Sequence, residues 1–117
     1  MFFSKNLKKK MESWHLEDLI RTVETPERST RKRVGYAKSI IQERRLEETE
    51  IKSIAEAIFL NKVNAQLETR SVFYQSNEMP YSFYLTEEKR IQLYKQAIDT
   101  YQSKMDLMSD GLDGYIG

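Results

Sequence analysis

Helix breakers are scarce in this chain. Its two prolines are Pro26 and Pro80, and three of its four glycines fall in the last seven residues, which leaves Gly35 as the one glycine in the body of the sequence. Inside a helix, glycine costs about 1 kcal/mol and proline about 3 kcal/mol relative to alanine, so the long stretches free of both are open to helix formation. Charges recur every few positions, so no run reaches the roughly 18–20 apolar residues that a membrane-spanning helix needs. These two features predict a soluble, mainly α protein, a small bundle of three to four helices.

Periodicity places the helices. Ile91, Tyr94, Ile98, Tyr101, Met105 and Met108 follow the alternating three-and-four spacing of a heptad seam, behind Thr86 as N-cap and Glu87-Glu88 as first-turn acids. A helix over 86–109 is expected. Its seam is expected to pack within the domain, or to pair with a second copy through Ile91, Tyr94, Ile98, Tyr101 and Met105. Ile51, Ile54, Ala55, Ile58, Phe59, Val63 and Leu67 define the core helix, over 49–70. Val34, Ala37 and Ile41 share a face of a preceding helix that starts between Thr25 and Ser29, where Thr25-Pro26-Glu27 brings together a cap, a proline at the first position and an acid. One unbroken helix over 29–69 would be roughly 60 Å long. A compact domain of this size has a radius of gyration near 13 Å and a diameter of about 35 Å, so either the helix bends or breaks near 46–49 or the protein is an elongated dimer, and the break is the expectation. Ser13 caps a shorter helix over 13–24, with Leu16, Leu19, Ile20 and Val23 inward and Trp14 seated on the core. Residues 1–12 read as a basic N-terminal segment, either a fraying helix or a mobile tail, 13–109 as a single helical domain, and 110–117 as a helix stop followed by a flexible tail.

Residues 72–84 differ in kind. They hold Phe73, Tyr74, Tyr81, Phe83 and Tyr84, five of the thirteen aromatic residues, around Pro80 and a polar turn. The stretch predicts an aromatic-rich loop or a short β-hairpin before the C-terminal helix.

The composition removes several kinds of chemistry. There is no cysteine, hence no disulfide, thiolate nucleophile or zinc–thiolate site, which suits a reducing cytoplasm. His15 is the only histidine, so a two-histidine metal site cannot form, and no elbow motif accompanies it. Asp106, Asp110, Gly111 and Asp113 have the composition of a calcium loop, but the third and twelfth positions are Met108 and Gly117, which cannot serve. With Gly35 alone in the body, no glycine-rich phosphate cradle is available. No catalytic residue, metal site or cofactor is assigned, and the expectation is a protein that works by binding.

Charge shows where. Residues 1–45 carry twelve Lys/Arg against six Asp/Glu, and 46–117 carry seven against twelve. In the helix after Thr25, Arg31, Lys38 and Arg45 recur every seven residues as one row. Arg33 and Arg44 fall on its apolar side, where such residues either snorkel outward or meet partners between helices. Local pairs of Arg44 with Glu48 and of Lys52 with Glu56 are expected at i,i+4. The first functional reading is a regulator or adaptor that binds a protein partner through Arg31, Lys38, Arg45, Tyr74, Tyr81, Phe83 and Tyr84. The alternative is a winged-helix-like DNA-binding regulator, with its turn at Phe59-Leu60. It would use Arg28, Arg31, Lys32, Arg33, Asn61, Lys62, Asn64, Gln66 and Arg70.

Overall fold

The computed structural model describes the backbone of residues 2–69 and 79–116, and the side chains of residues 6–69 and 79–107. Among the described residues the chain forms five α-helices and one 3-10 turn: α1 (Phe2–Met11), α2 (Leu16–Glu24), the turn Pro26–Arg28, α3 (Arg31–Glu43), α4 (Glu48–Thr69) and α5 (Glu87–Ile116). The fold is mainly α, with one helix more than the upper expectation. No strand occurs among the described residues, and 79–86 is irregular, so the hairpin is not seen there; its other half, with Tyr74 and Arg70, lies outside the described residues.

The break between α3 and α4 falls at 44–47, where Arg45 takes a left-handed φ of 50°. Several boundaries differ from expectation for local reasons. Pro26 opens only a short 3-10 turn, and α3 begins at Arg31 because the Thr30 side chain accepts from Arg33 N at 3.2 Å. Ser13 does not cap α2. Its hydroxyl donates to the Lys10 carbonyl at 2.8 Å and so closes the end of α1, leaving His15 at the α2 N-cap position without a side-chain bond. α4 starts one residue ahead of Thr49, and α5 does not stop at 109 but continues to Ile116. The expected pairs within and before α4 are also replaced: Lys52 binds Glu48 at 2.9 Å, Glu56 binds Lys89 of α5 at 3.1 Å, and Arg44 turns to backbone carbonyls.

Inside the bundle α2 packs against both α3 and α4, α1 lies against α3, and α5 lies against α4. Leu19, Ile20 and Val23 of α2 meet Ala37, Ile40 and Ile41 of α3 and Ala55, Phe59 and Val63 of α4 in one buried cluster. Met11 is fully buried in that cluster, so α1 is tied to the core through its last turn. Burying a side chain such as Phe59 contributes about 2–3 kcal/mol. The side-by-side order and the length of α5, about 45 Å at 1.5 Å per residue, draw the molecule out to 68 × 29 × 24 Å, with a radius of gyration of 18.5 Å. The α5 seam is rotated from expectation. Leu93 and Ala97 are its buried positions, Tyr94, Ile98 and Tyr101 are partly buried against the core, and Ile91 and Met105 remain exposed. Among the described residues no helix is long and apolar enough to cross a membrane.

Candidate functional site: a basic and aromatic hollow on α3

The site begins with a carboxylate on the wrong face of a helix. Glu24 follows Val23 and lies one turn after Ile20, so it ends the apolar face of α2 and is carried inward to 1% exposure. A buried charge needs hydrogen bonds. Glu24 receives them from the segment that returns to α5: Oε2 accepts from Ser82 Oγ, and Oε1 accepts from Phe83 N at 2.7 Å and from Tyr84 N at 3.3 Å. Ser82 Oγ in turn accepts from Leu85 N at 3.3 Å, which folds 82–85 into a tight bend.

Lys62 of α4 completes the anchor by donating to the Glu24 carbonyl and, at 3.1 Å, to the Tyr81 carbonyl. Burial pulls the Lys62 ammonium below its usual range, while the carboxylates of Glu24 and Glu27 act against that shift. Burial, and then the Glu24 charge, push the Tyr84 phenol up to about 12.

The anchored bend sets two aromatic rings against α3. Phe83 and Tyr84 meet edge to face, with centroids 5.0 Å apart and planes at 85°. Lys38 Nζ lies 4.0 Å from the centre of the Phe83 ring, a cation–π contact. Beside them is a hollow of about 430 Å³, in which Ile41, Leu46 and Ile51 supply apolar wall and Lys38 and Arg45 supply charge; no acidic side chain lines it. Arg45 is at this rim because α3 ends just before it. The left-handed conformation there costs a non-glycine residue about 1 kcal/mol.

Four of the predicted partner-binding residues, Lys38, Arg45, Phe83 and Tyr84, thus come together in one hollow. Arg31 stands apart at the first turn of α3. Tyr81 is 47% exposed beside the bend, and Tyr74 lies outside the described residues. The aromatic stretch divides by role: Tyr84 and Leu85 cover the core, whereas Tyr81 and Phe83 face outward.

The turn that the DNA reading places at Phe59-Leu60 is absent, and Asn61, Lys62, Asn64 and Gln66 lie on the same continuous helix as the residues before it. α4 runs unbroken through Phe59 and Leu60, because Phe59 is a core residue and nothing there breaks the helix. Lys62 is held by two carbonyls. Asn61 and Asn64 are exposed, Gln66 is half-buried, and Arg70 lies outside the described residues. Arg28, Arg31, Lys32 and Arg33 are exposed around the 3-10 turn and the start of α3. Glu24 is the residue the sequence reading does not single out, although an acid on an apolar face was a visible signal. Among the described residues, no three His, Cys, Asp or Glu side chains gather as a metal site. Comparison with protein-family models, with curated proteins and with solved structures finds no match to this chain.

Proposed function

We propose that this protein is a non-enzymatic adaptor or regulator that takes up an acidic, partly apolar segment of a protein partner in the hollow between α3 and the 81–85 bend. The observation that carries this reading is the meeting of Lys38 and Arg45 with the exposed face of Phe83, which is 48% exposed. Two cations without an acid between them favour a carboxylate-bearing ligand, and an outward phenyl ring adds apolar contact at small entropic cost. Arg45 supports it independently. Arginine at φ 50° bears a strain that glycine would not, which suits a position whose side chain is used for contact. A cysteine-free chain fits work in a reducing compartment such as the cytoplasm.

The variant Arg45→Gly separates stability from binding. It is expected to be as stable as the native chain, or more stable by up to about 1 kcal/mol, while losing the partner. Quantitative capture from the native cell, comparing the native chain with Arg45→Gly and Lys38→Glu, makes the test. A partner retained equally by all three ends the proposal.

We also propose self-association along α5, because Ile91 and Met105 lie on the heptad seam and stay 37% and 43% exposed. Light scattering that gives the monomer mass at high micromolar concentration removes it.

A further inference from the structure

A second hollow, also about 430 Å³, opens between α2, the 3-10 turn and the first turn of α3, on residues that the protein-partner reading leaves unused. Three arginines line it, Arg21, Arg28 and Arg33, against one acidic residue, Asp18. Asp18 is already paired with Arg21 at 3.3 Å. Arg28 and Arg33 form no ion pair among the described residues. Like charges gathered without a counterion repel one another, and a dianion placed among them removes that cost. The planar fork of arginine matches the oxygens of a phosphate, which it holds by paired charge-assisted hydrogen bonds.

The hydroxyl-bearing Thr22, Thr25 and Ser29 and the indole-bearing Trp14 make up the remaining wall, and Trp14 is half-buried and packed on the core. Its backbone is fixed from outside the hollow, since Arg44 Nη2 donates to the Trp14 carbonyl at 2.7 Å and to the Glu12 carbonyl at 2.9 Å. An indole held in this way offers a planar group a stacking surface. The volume falls within the roughly 300–1,000 Å³ of small-ligand sites and exceeds what a bare phosphate fills. Arg33, on the apolar side of α3 by its spacing, is exposed and lines this hollow.

We propose that this hollow binds a phosphate monoester carried on a small aromatic or planar group, with the phosphate among Arg21, Arg28 and Arg33 and the ring against Trp14. A concave site with one cluster of arginines takes one phosphate. A duplex would instead need a row of contacts along its backbone, each steepening the salt dependence. The site is independent of the Lys38–Phe83 hollow and stands whether or not that one binds a protein.

Trp14 is the only tryptophan, so tryptophan fluorescence comes from a residue in the wall of this hollow. Phenyl phosphate, titrated in buffer of about 20 mM ionic strength so that charges are weakly screened, is expected to change that emission saturably. Inorganic phosphate is expected to bind at least about threefold more weakly, and phenol not at all, since each lacks one half of the ligand. Arg28→Glu and Arg33→Glu are exposed substitutions whose thermal melts stay near native, and each is expected to weaken phenyl phosphate by about tenfold or more. A phosphotyrosine peptide and a nucleoside monophosphate, compared as further ligands, show which source of the same chemistry the site prefers. The proposal is overturned by an emission that does not saturate with phenyl phosphate, or by charge-reversed variants that bind as the native chain does. It is likewise overturned by equal affinity for inorganic and phenyl phosphate, or by binding to duplex DNA alone with a salt slope of several phosphates.

Discussion

Trp14 and Phe83 are both aromatic, both lie beside cations of α3, and both are set in place by a charged side chain that grips distant backbone. The two grips have opposite sign. Arg44 holds Trp14 by donating to the carbonyls of residues 12 and 14 in the connection between α1 and α2. Glu24 holds Phe83 by accepting the amides of residues 83 and 84. They differ most in depth: Glu24 is 1% exposed, and Arg44 reaches across the outside of the α1–α2 turn, where one of its two bonds is exposed. Water can replace much of what Arg44 does and little of what Glu24 does. One aromatic wall is therefore fastened as part of the core, and the other at its edge.

The largest expected effect follows from removing the deep grip. Glu24→Ala strands the amides of Phe83 and Tyr84 and the hydroxyl of Ser82, and should cost about 3–4 kcal/mol in urea unfolding. Glu24→Gln, which keeps one acceptor oxygen, should fall between it and the native chain. Arg44→Ala should cost about 1.5–2 kcal/mol, since its hydrogen bonds are charge-assisted but partly replaceable by water. It should also change the emission of Trp14. A cost for Arg44→Ala equal to that of Glu24→Ala breaks the distinction drawn from depth.

Alkaline titration sharpens the same contrast. The Tyr84 phenol has its folded-state pKa raised to about 12 from an ordinary value of 10.0. The stabilisation is present in full below pH 10 and is lost as pH rises toward 12, because the unfolded chain gives up the proton first. Each pKa unit is worth about 1.4 kcal/mol, and solvent screening at this half-buried ring reduces the sum to about 1 kcal/mol. Melting temperature should therefore fall between pH 10 and 12, and Tyr84→Phe should flatten that fall. The native minus Tyr84→Phe difference in phenolate absorbance should have its midpoint near 12. Lys62 works in the opposite direction. Its depressed pKa means that the unfolded chain binds the extra proton as pH approaches 10.5, so its contribution to stability rises there. Tyr84→Phe leaves that rise visible.

The parts of this arrangement that follow from periodicity were legible in the sequence. The apolar spacing of residues 51–67 specifies a helix with one buried side, and Ala55, Ile58, Phe59, Val63 and Leu67 are buried as that spacing requires. The diameter of a compact domain predicts the break before α4, yet the molecule is 68 Å long and could hold an unbroken helix, so the break is a local matter of the left-handed Arg45 and not of length. The α5 seam was less legible, because its apolar residues wrap more than one face. The groove offered by α4 selects Leu93 and Ala97 and leaves Ile91 outside, a choice that depends on the partner helix and not on spacing. Boundaries were set by single hydrogen bonds, Thr30 to Arg33 N and Ser13 to Lys10 O, which sequence presents as equal alternatives to Thr25 and to capping α2. The aromatic and basic residues of the candidate hollow were visible as types. Their meeting was not, because it depends on Glu24 joining α2 to a bend 58 residues away, through the contact with Ser82.

The smallest expected effect tests the meeting itself. Lys38 Nζ stands 4.0 Å above the Phe83 ring on a surface open to water, where a cation–π contact contributes about 0.5–1 kcal/mol. The single changes Lys38→Met and Phe83→Leu each disturb packing as well, so neither alone measures the contact. The double-mutant cycle cancels those separate costs and isolates the coupling. A coupling of about 0.5–1 kcal/mol is expected in the native background. In Glu24→Gln, where the bend is held less firmly, the same cycle should give a smaller value, because the ring is then less well positioned over the ammonium. An unchanged coupling there would mean that α3 and the ring hold each other without the buried carboxylate, and that the deep grip serves stability and not the shape of the hollow.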